Sequence, residues 1–268
     1  MANSEIIILE VLIVVVPILL WVGLILQQAR YYQQIKLMAL YLHRATHMLR
    51  DSFYHLALLK NRNLLKYNDI LNECSSISTR LVDIIQSLLS NYVREDVYVC
   101  LKLVNPPTGF YLSKENDTEN SSVYTFCRSS NTPIERYHSD AIPVPVINNT
   151  AFRMILLDEA DSFAVSDLMK YDKQIRNGGD ARGYQNTTER WDRFYRSTIV
   201  VPIRIRAELL GIGDSGYDLL GFLCADCKVA GGFPKNRLTA LVNMLMCFAD
   251  MFYPYLERIS SYNKDISG

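Results

Sequence analysis

The stretch from Arg196 to Asp226 leaves this chain the fewest choices of fold. It opens as RSTIVVPIRIR, whose β-branched residues favour a strand from Ser197 to Arg206, with Pro202 inside it. A turn-forming segment, GIGDSGYD, follows. Gly211, Gly213 and Gly216 accept positive φ, and Asp214, Ser215 and Asp218 can bond their own backbone. Leu219 to Cys224 reads as a second strand, so the two are predicted to pair antiparallel. The apolar periodicity of Leu238 to Ile259 then predicts a long helix. Its buried stripe is Leu238, Leu241, Leu245, Phe248 and Phe252, Pro234 suits its first turn, and Pro254 is expected to kink or end it.

The opposite end of the chain points to a membrane. Ile6 to Leu26 is apolar apart from Glu10, and about twenty such residues cross a bilayer core. Pro17 and Gly23 are tolerated in such helices. The start, MANSE, lacks the basic residues of a secretory leader, so an uncleaved anchor over residues 1–27 is expected. Arg30, Lys36, Arg44 and Arg50 follow the span and none precedes it. The positive-inside rule therefore predicts a single-pass protein of the cell membrane with its C-terminal part in the cytoplasm. Six scattered cysteines suit a reducing compartment better than a disulfide framework. Four Asn-X-Ser/Thr matches, at Asn116, Asn120, Asn148 and Asn186, are then coincidental.

From Gln28 to about Tyr92 there is no proline or glycine. Ile35, Met38, Leu42, Ala45, Leu49, Ser52, Leu56 and Leu59 recur at spacings of three and four, a heptad-like seam that Asn63 interrupts. The seam resumes with Ile70, Cys74, Ile77, Leu81, Ile84 and Leu88. It predicts a coiled-coil-like stalk over residues 28–75, joining two copies, or an amphipathic helix folded back on the domain. His43, His47, Asp51 and His55 share one helix face, which offers imidazoles to a metal or proton but is more simply a solvated face.

Further strands are predicted at Val97 to Val104 and Val123 to Arg128. Thr150 to Met169 leans towards helix and carries the acidic cluster Asp158, Glu159 and Asp161. Lys170 to Arg190, with Gly178, Gly179 and Gly183, reads as a mobile excursion over the sheet, a lid or a disordered loop.

The order of strand, turn, strand, Phe and terminal helix resembles the closing half of a GAF domain. The matching residues are Ser197, Thr198, Val201, Pro202, Ile203, Gly221, Phe222, Leu223, Asp226 and Phe233, and the resemblance extends over roughly Asn91 to Glu257. It implies an α+β fold: an antiparallel-sheet sensor domain over residues 76–260, preceded by the transmembrane helix and stalk and followed by a tail, 261–268. It also implies a ligand lying on the sheet. The candidate ligand-binding residues are Cys127, Arg128, Ser129, Phe152, Asp167, Tyr195, Ser197 and Cys224. Arg128, permanently charged and fork-shaped, suits an anion. The Asn-Lys, Phe and Asp-Glu signature of cyclic-nucleotide binders and the Cys-His dipeptide of bilin binders are both missing. The cofactor therefore stays unassigned.

Enzymatic signatures are absent from the sequence. There is no phosphate-binding glycine loop and no G-x-S-x-G elbow. His138, the one histidine of the globular part, has turn-forming neighbours. Cys224 and Cys227 have C-x-x-C spacing but end a strand rather than start a helix, and one such pair cannot complete a zinc site. With 28 basic and 28 acidic residues, the chain lacks the basic excess of a nucleic-acid binder. The expectation is a non-enzymatic, membrane-anchored sensor, a homodimer, that answers to a small molecule or a separate output protein. The alternative is a membrane-perturbing effector of a bacterial defence or toxin system, gated by the same domain.

Overall fold

The computed structural model describes residues 2–62, 66–105, 121–139, 143–157, 160–186, 191–206 and 217–267. It divides into two compact units, Met1–His43 and Arg44–Gly268. The first lies within helix α1 (Ala2–Asn61). Its side chains are described from Val15 onward, apart from Pro17, so those of Ile6 to Val14 in the expected span Ile6 to Leu26 lie outside the description. Among the described residues no helix is long and apolar enough to cross a membrane.

The second unit is built on one antiparallel sheet of six strands, in the order β3-β2-β1-β6-β5-β4. The strands are β1 (Val97–Asn105), β2 (Ser122–Arg128), β3 (Val144–Pro145), β4 (Phe163–Val165), β5 (Ser197–Arg206) and β6 (Tyr217–Cys227). The two closing strands pair as the sequence predicts, from Ser197 opposite Cys227 to Arg206 opposite Tyr217. The turn-forming segment between them, 207–216, lies outside the described residues. Pro202 falls beyond the part of β5 that pairs with β4, where one side of the strand is open and a proline is tolerated. The β6 strand runs longer than Leu219 to Cys224 because β1 takes its other edge, Val97 facing Cys227 and Leu103 facing Gly221.

Alternation sorts the strands into two faces. Val97, Val99, Leu101, Ile199, Val201, Leu223 and Ala225 are buried on one, which packs on α2 (Tyr67–Val93) and α5 (Leu238–Ser267). Phe222, Cys224, Cys100, Val104 and Val200 belong to a second cluster with α3 (Thr150–Leu157) and the segments around it. The helix α5 continues through Pro254 rather than ending there, and Tyr253, Tyr255 and Leu256 are buried around it. This packing outweighs the hydrogen bond that the proline removes.

The long helical segment breaks between Asn61 and Tyr67 without proline or glycine. Polar residues do the work: the Asp69 carboxylate accepts from the Lys66 N–H at 3.2 Å and starts α2. Within the second unit the seam is used internally. Ala45, Leu49, Ser52 and Leu56 are buried, Ser52 donates to Glu73 of α2 at 3.0 Å, and Phe53 meets Tyr255 of α5 edge-on at 5.6 Å. There the seam packs on its own domain, as an amphipathic helix folded back would. On the same helix, His55 approaches Glu73 at 3.6 Å. No group of three metal-ligating side chains occurs among the described residues.

Gly221 has a steric reason to be glycine. A Cβ added there would collide with the carbonyl oxygen of Lys102 on the neighbouring strand. Gly221→Ala is therefore expected to force β1 and β6 apart and to cost about 1–3 kcal/mol of stability. A lowered urea midpoint with an unchanged slope checks this.

Candidate functional site

The face of the sheet turned away from α2 and α5 carries a small polar cavity. Its floor is Cys100 and Lys102 of β1, Arg128 of β2, Thr198 and Val200 of β5, and Cys224 and Asp226 of β6. Period-two alternation brings these residues to one side. The cover is Arg136, the first turn of α3, and the loop bearing Tyr184 and Asn186. Room for the centre of a water-sized molecule is about 30 Å3. One water needs roughly 10–15 Å3 on that measure, so the cavity takes a few heavy atoms and no more.

Charge dominates its wall. Arg128 and Arg136 are both 7% exposed and Asp226 6%. The Arg136 guanidinium donates to the Asp226 carboxylate at 2.8 Å, and Thr198 donates to its other oxygen at 2.7 Å. Burial works most strongly against the charge on Arg136, and Asp226 together with Cys100 and Tyr195 still leaves the guanidinium held above its ordinary range. The guanidinium also lies over the Tyr195 ring, 5.2 Å from its centre. Lys102 donates to Thr125 at 2.8 Å. Burial pushes the phenols of Tyr184 and Tyr195 up, so both stay neutral. The lining thus holds Lys102, Arg128 and Arg136 against the single carboxylate Asp226.

The cover is fastened by named bonds. Asn149 caps α3, its side-chain oxygen accepting from the Phe152 N–H at 3.2 Å. Phe152 stacks on Phe222 of the floor at 4.3 Å. The excursion expected to be mobile begins instead as α4 (Leu168–Asn177), capped by Asp167, which accepts from the Lys170 N–H at 3.1 Å. Arg176 then binds the Asp172 carboxylate and the carbonyls of Ala181 and Arg182 at 2.7–3.2 Å. Asp172 also accepts from the Tyr184 N–H at 2.7 Å, and Thr150 exchanges two bonds with Gln185 at 2.9 and 3.0 Å. Gly183, at φ 65°, lets the chain pass over the Asp172 and Arg176 side chains. The described part of this segment is a bonded wall; residues 187–190 lie outside the described residues.

Of the eight residues predicted from sequence, Arg128, Phe152, Tyr195 and Cys224 line the cavity. The other four sit elsewhere with structural partners. Cys127 is buried on the opposite side, with Cys74 of α2 nearby. The Ser129 hydroxyl accepts from the Val99 N–H at 3.0 Å, Asp167 is a helix cap, and Ser197 donates to the Val229 carbonyl at 3.1 Å. Asp161, from the acidic cluster, pairs with Arg204 at 3.1 Å, while Asp158 and Glu159 lie outside the described residues. Cys224 and Cys227, three apart in a strand, project to opposite faces. Cys100, Lys102, Arg136 and Asp226 were missing from the predicted site. Asp226 had a signal, two residues beyond Cys224 on one strand face; the others depend on pairings between distant segments.

Removing Asp226 tests the weight of the charge network. Asp226→Ala takes the Arg136 guanidinium's carboxylate away in a buried site, and a loss of about 3–5 kcal/mol of stability is expected. Chemical denaturation measures it, with Thr198→Val, which removes one neutral donor, expected to lose far less.

No family model matches the sequence. No curated protein matches it either. Solved structures do resemble the chain. The GAF domain of an Acinetobacter phosphoenolpyruvate-protein phosphotransferase is 11% identical, over 81% of this chain and 98% of that one, with a TM-score of 0.41. The phycoerythrobilin-bound GAF domain of a cyanobacterial phytochrome is 13% identical, over 85% and 97%, with a TM-score of 0.46. A type II free methionine-R-sulfoxide reductase from Thermoplasma acidophilum is 13% identical, over 69% and 94%, with a TM-score of 0.40. These are likenesses of fold. The chain's own sheet carries α2 and α5 on one face and a covered cavity on the other.

Proposed function

We propose that this chain is a membrane-anchored sensory protein whose GAF-like domain binds a small anion in the cavity over the sheet. The observation that carries the reading is the composition of the wall: three cationic side chains and one carboxylate around a space of a few atoms. The first turn of α3 borders the same space, and a helix N-terminus favours negative charge. Two buried arginines are costly to hold in a fold that gains nothing from them. An anion that bridges their donors recovers part of that cost and so favours one state of the domain over another.

The anchor is supported by the side chains of α1. Ile18, Leu19, Leu20, Trp21, Val22, Leu24, Ile25 and Leu26 are all exposed, and consecutive residues point all round a helix. A helix that is apolar on every side needs an apolar surrounding, and lipid supplies one. The basic residues after it, Arg30 and Lys36, favour an orientation with the domain on the cytoplasmic side. A second copy or a separate output protein would receive the signal.

The anion is tested by thermal denaturation of the full chain in lipid nanodiscs, with chloride, nitrate, bicarbonate, phosphate and short carboxylates. One class is expected to raise Tm with concentration, and Arg128→Gln to weaken that response at least tenfold. A panel without effect, or a response indifferent to Arg128→Gln, overturns the reading. The anchor is tested separately. The full chain is expected to float with phosphatidylcholine–phosphatidylglycerol vesicles after an alkaline wash, and a chain lacking residues 1–27 to stay behind.

A further inference from the structure

Two of the cavity's wall residues are cysteines that face each other. Cys100 on β1 is directly opposite Cys224 on β6. Both side chains line the cavity and both are nearly fully buried. Facing residues of antiparallel strands have Cα atoms about 4.5–5.5 Å apart. A disulfide needs roughly 4.4–6.8 Å, so the backbone already allows the bond. Neither cysteine belongs to a metal-binding group among the described residues.

The surroundings favour reaction at one sulfur. The neighbouring Cys224 thiol holds Cys100 towards thiolate despite the cost of burial, and Arg128 and Lys102 add their charge. Cys224 is pushed the other way by Cys100 and by burial. Elsewhere in the core, burial keeps Cys74 and Cys127 protonated. The cavity sets the size of the oxidant, since its free space suits a molecule scarcely larger than water.

We infer that Cys100 and Cys224 form a reversible disulfide when hydrogen peroxide enters the cavity, giving the domain a redox input beyond its ligand. The Cys100 thiolate attacks one peroxide oxygen and the O–O bond breaks. Cys100 becomes a sulfenic acid, and the departing hydroxide takes the Cys224 proton and leaves as water. The Cys224 thiolate then attacks the Cys100 sulfur. The S–S bond forms, and the sulfenic oxygen leaves as hydroxide, which solvent protonates to water. Two thiols lose two electrons and one peroxide becomes two waters. A thiol reductant reverses the change by exchange through a mixed disulfide. Closing the bond draws facing Cβ atoms from about 4.5–5.5 Å to nearer 3.8 Å, which shifts β1 against β6 beneath Lys102 and Arg128.

The test uses the reduced full chain, exposed to micromolar hydrogen peroxide, quenched in acid and mapped by differential alkylation and mass spectrometry. A Cys100–Cys224 crosslinked peptide that dithiothreitol removes is expected. In Cys224→Ala, dimedone should trap a sulfenic acid on Cys100; in Cys100→Ala, Cys224 should give no adduct. The inference falls if the native wild-type chain keeps both thiols while exposed Cys247 is oxidised, or if the crosslink forms only in urea. The mass readout needs no bound anion. A chain that binds anions yet never crosslinks sinks this inference alone, and one that crosslinks without binding anions sinks only the ligand reading.

Discussion

The ladder that holds β6 between β1 and β5 is the constraint on which the rest depends. A strand paired on both edges has its backbone satisfied, and here segments from elsewhere cover both of its faces. On one face the cover is apolar: α2 and α5 lie over Leu223, Ala225 and their neighbours. On the other, Leu219, Phe222 and Cys224 meet α3 and short connecting segments, and at Asp226 the strand carries a carboxylate into the interior. That carboxylate demands a partner. Arg136, delivered by the 3-10 turn Ile134–Ser139, answers it at 2.8 Å. The polar cavity follows from placing one acidic residue on the inner face of a central strand.

A buried ion pair is seldom the cheapest way to fill space, because a hydrophobic replacement of similar volume often serves stability as well. Here the pair is one part of a larger set: Arg128 beside it, Thr198 on the second carboxylate oxygen, and Tyr195 under the guanidinium. The cover is rigidly tied as well. Arg176 and Asp172 fold the segment after α4 upon itself, and the Thr150–Gln185 bonds fix it to α3.

Much of the architecture was legible because its signals are local. The β5 bounds, the pairing of β5 with β6 and the terminal helix follow from β-branched runs, turn residues and 3.6-residue periodicity. Misreadings arose where distant contacts decide. Of the two outcomes expected at Pro254, a kink or an end, the end does not occur: α5 runs on, with Tyr253, Tyr255 and Leu256 buried around the proline. The glycine-rich stretch after α4 looked loose in sequence, yet its arginine and aspartate find partners only once the chain has turned at Gly183. The seam from Ala45 to Leu56 has the spacing of a coiled coil, and spacing cannot say whose helix fills it. The site shows the same divide. Arg128, Phe152, Tyr195 and Cys224 lie in segments readable as cavity-facing, whereas Cys100 and Lys102 reach the cavity only through the β1–β6 register.

That register also says how a cavity event reaches the helices. Adjacent residues on a strand face opposite ways. Cys100 and Lys102 look into the cavity, while Val99, Leu101 and Leu103 between and beside them belong to the core beneath α2. Cys224 is likewise flanked by Leu223 and Ala225. A close-packed core resists small displacements and passes them on rather than absorbing them. A change that moves β1 against β6 at the cavity therefore moves the apolar row on which α2 and α5 rest. Glu73 of α2 and Tyr255 of α5 in turn hold Ser52 and Phe53 of α1. Within the second unit, cavity, sheet, paired helices and the end of α1 form one chain of direct contacts, and no separate hinge is needed to link the first to the last.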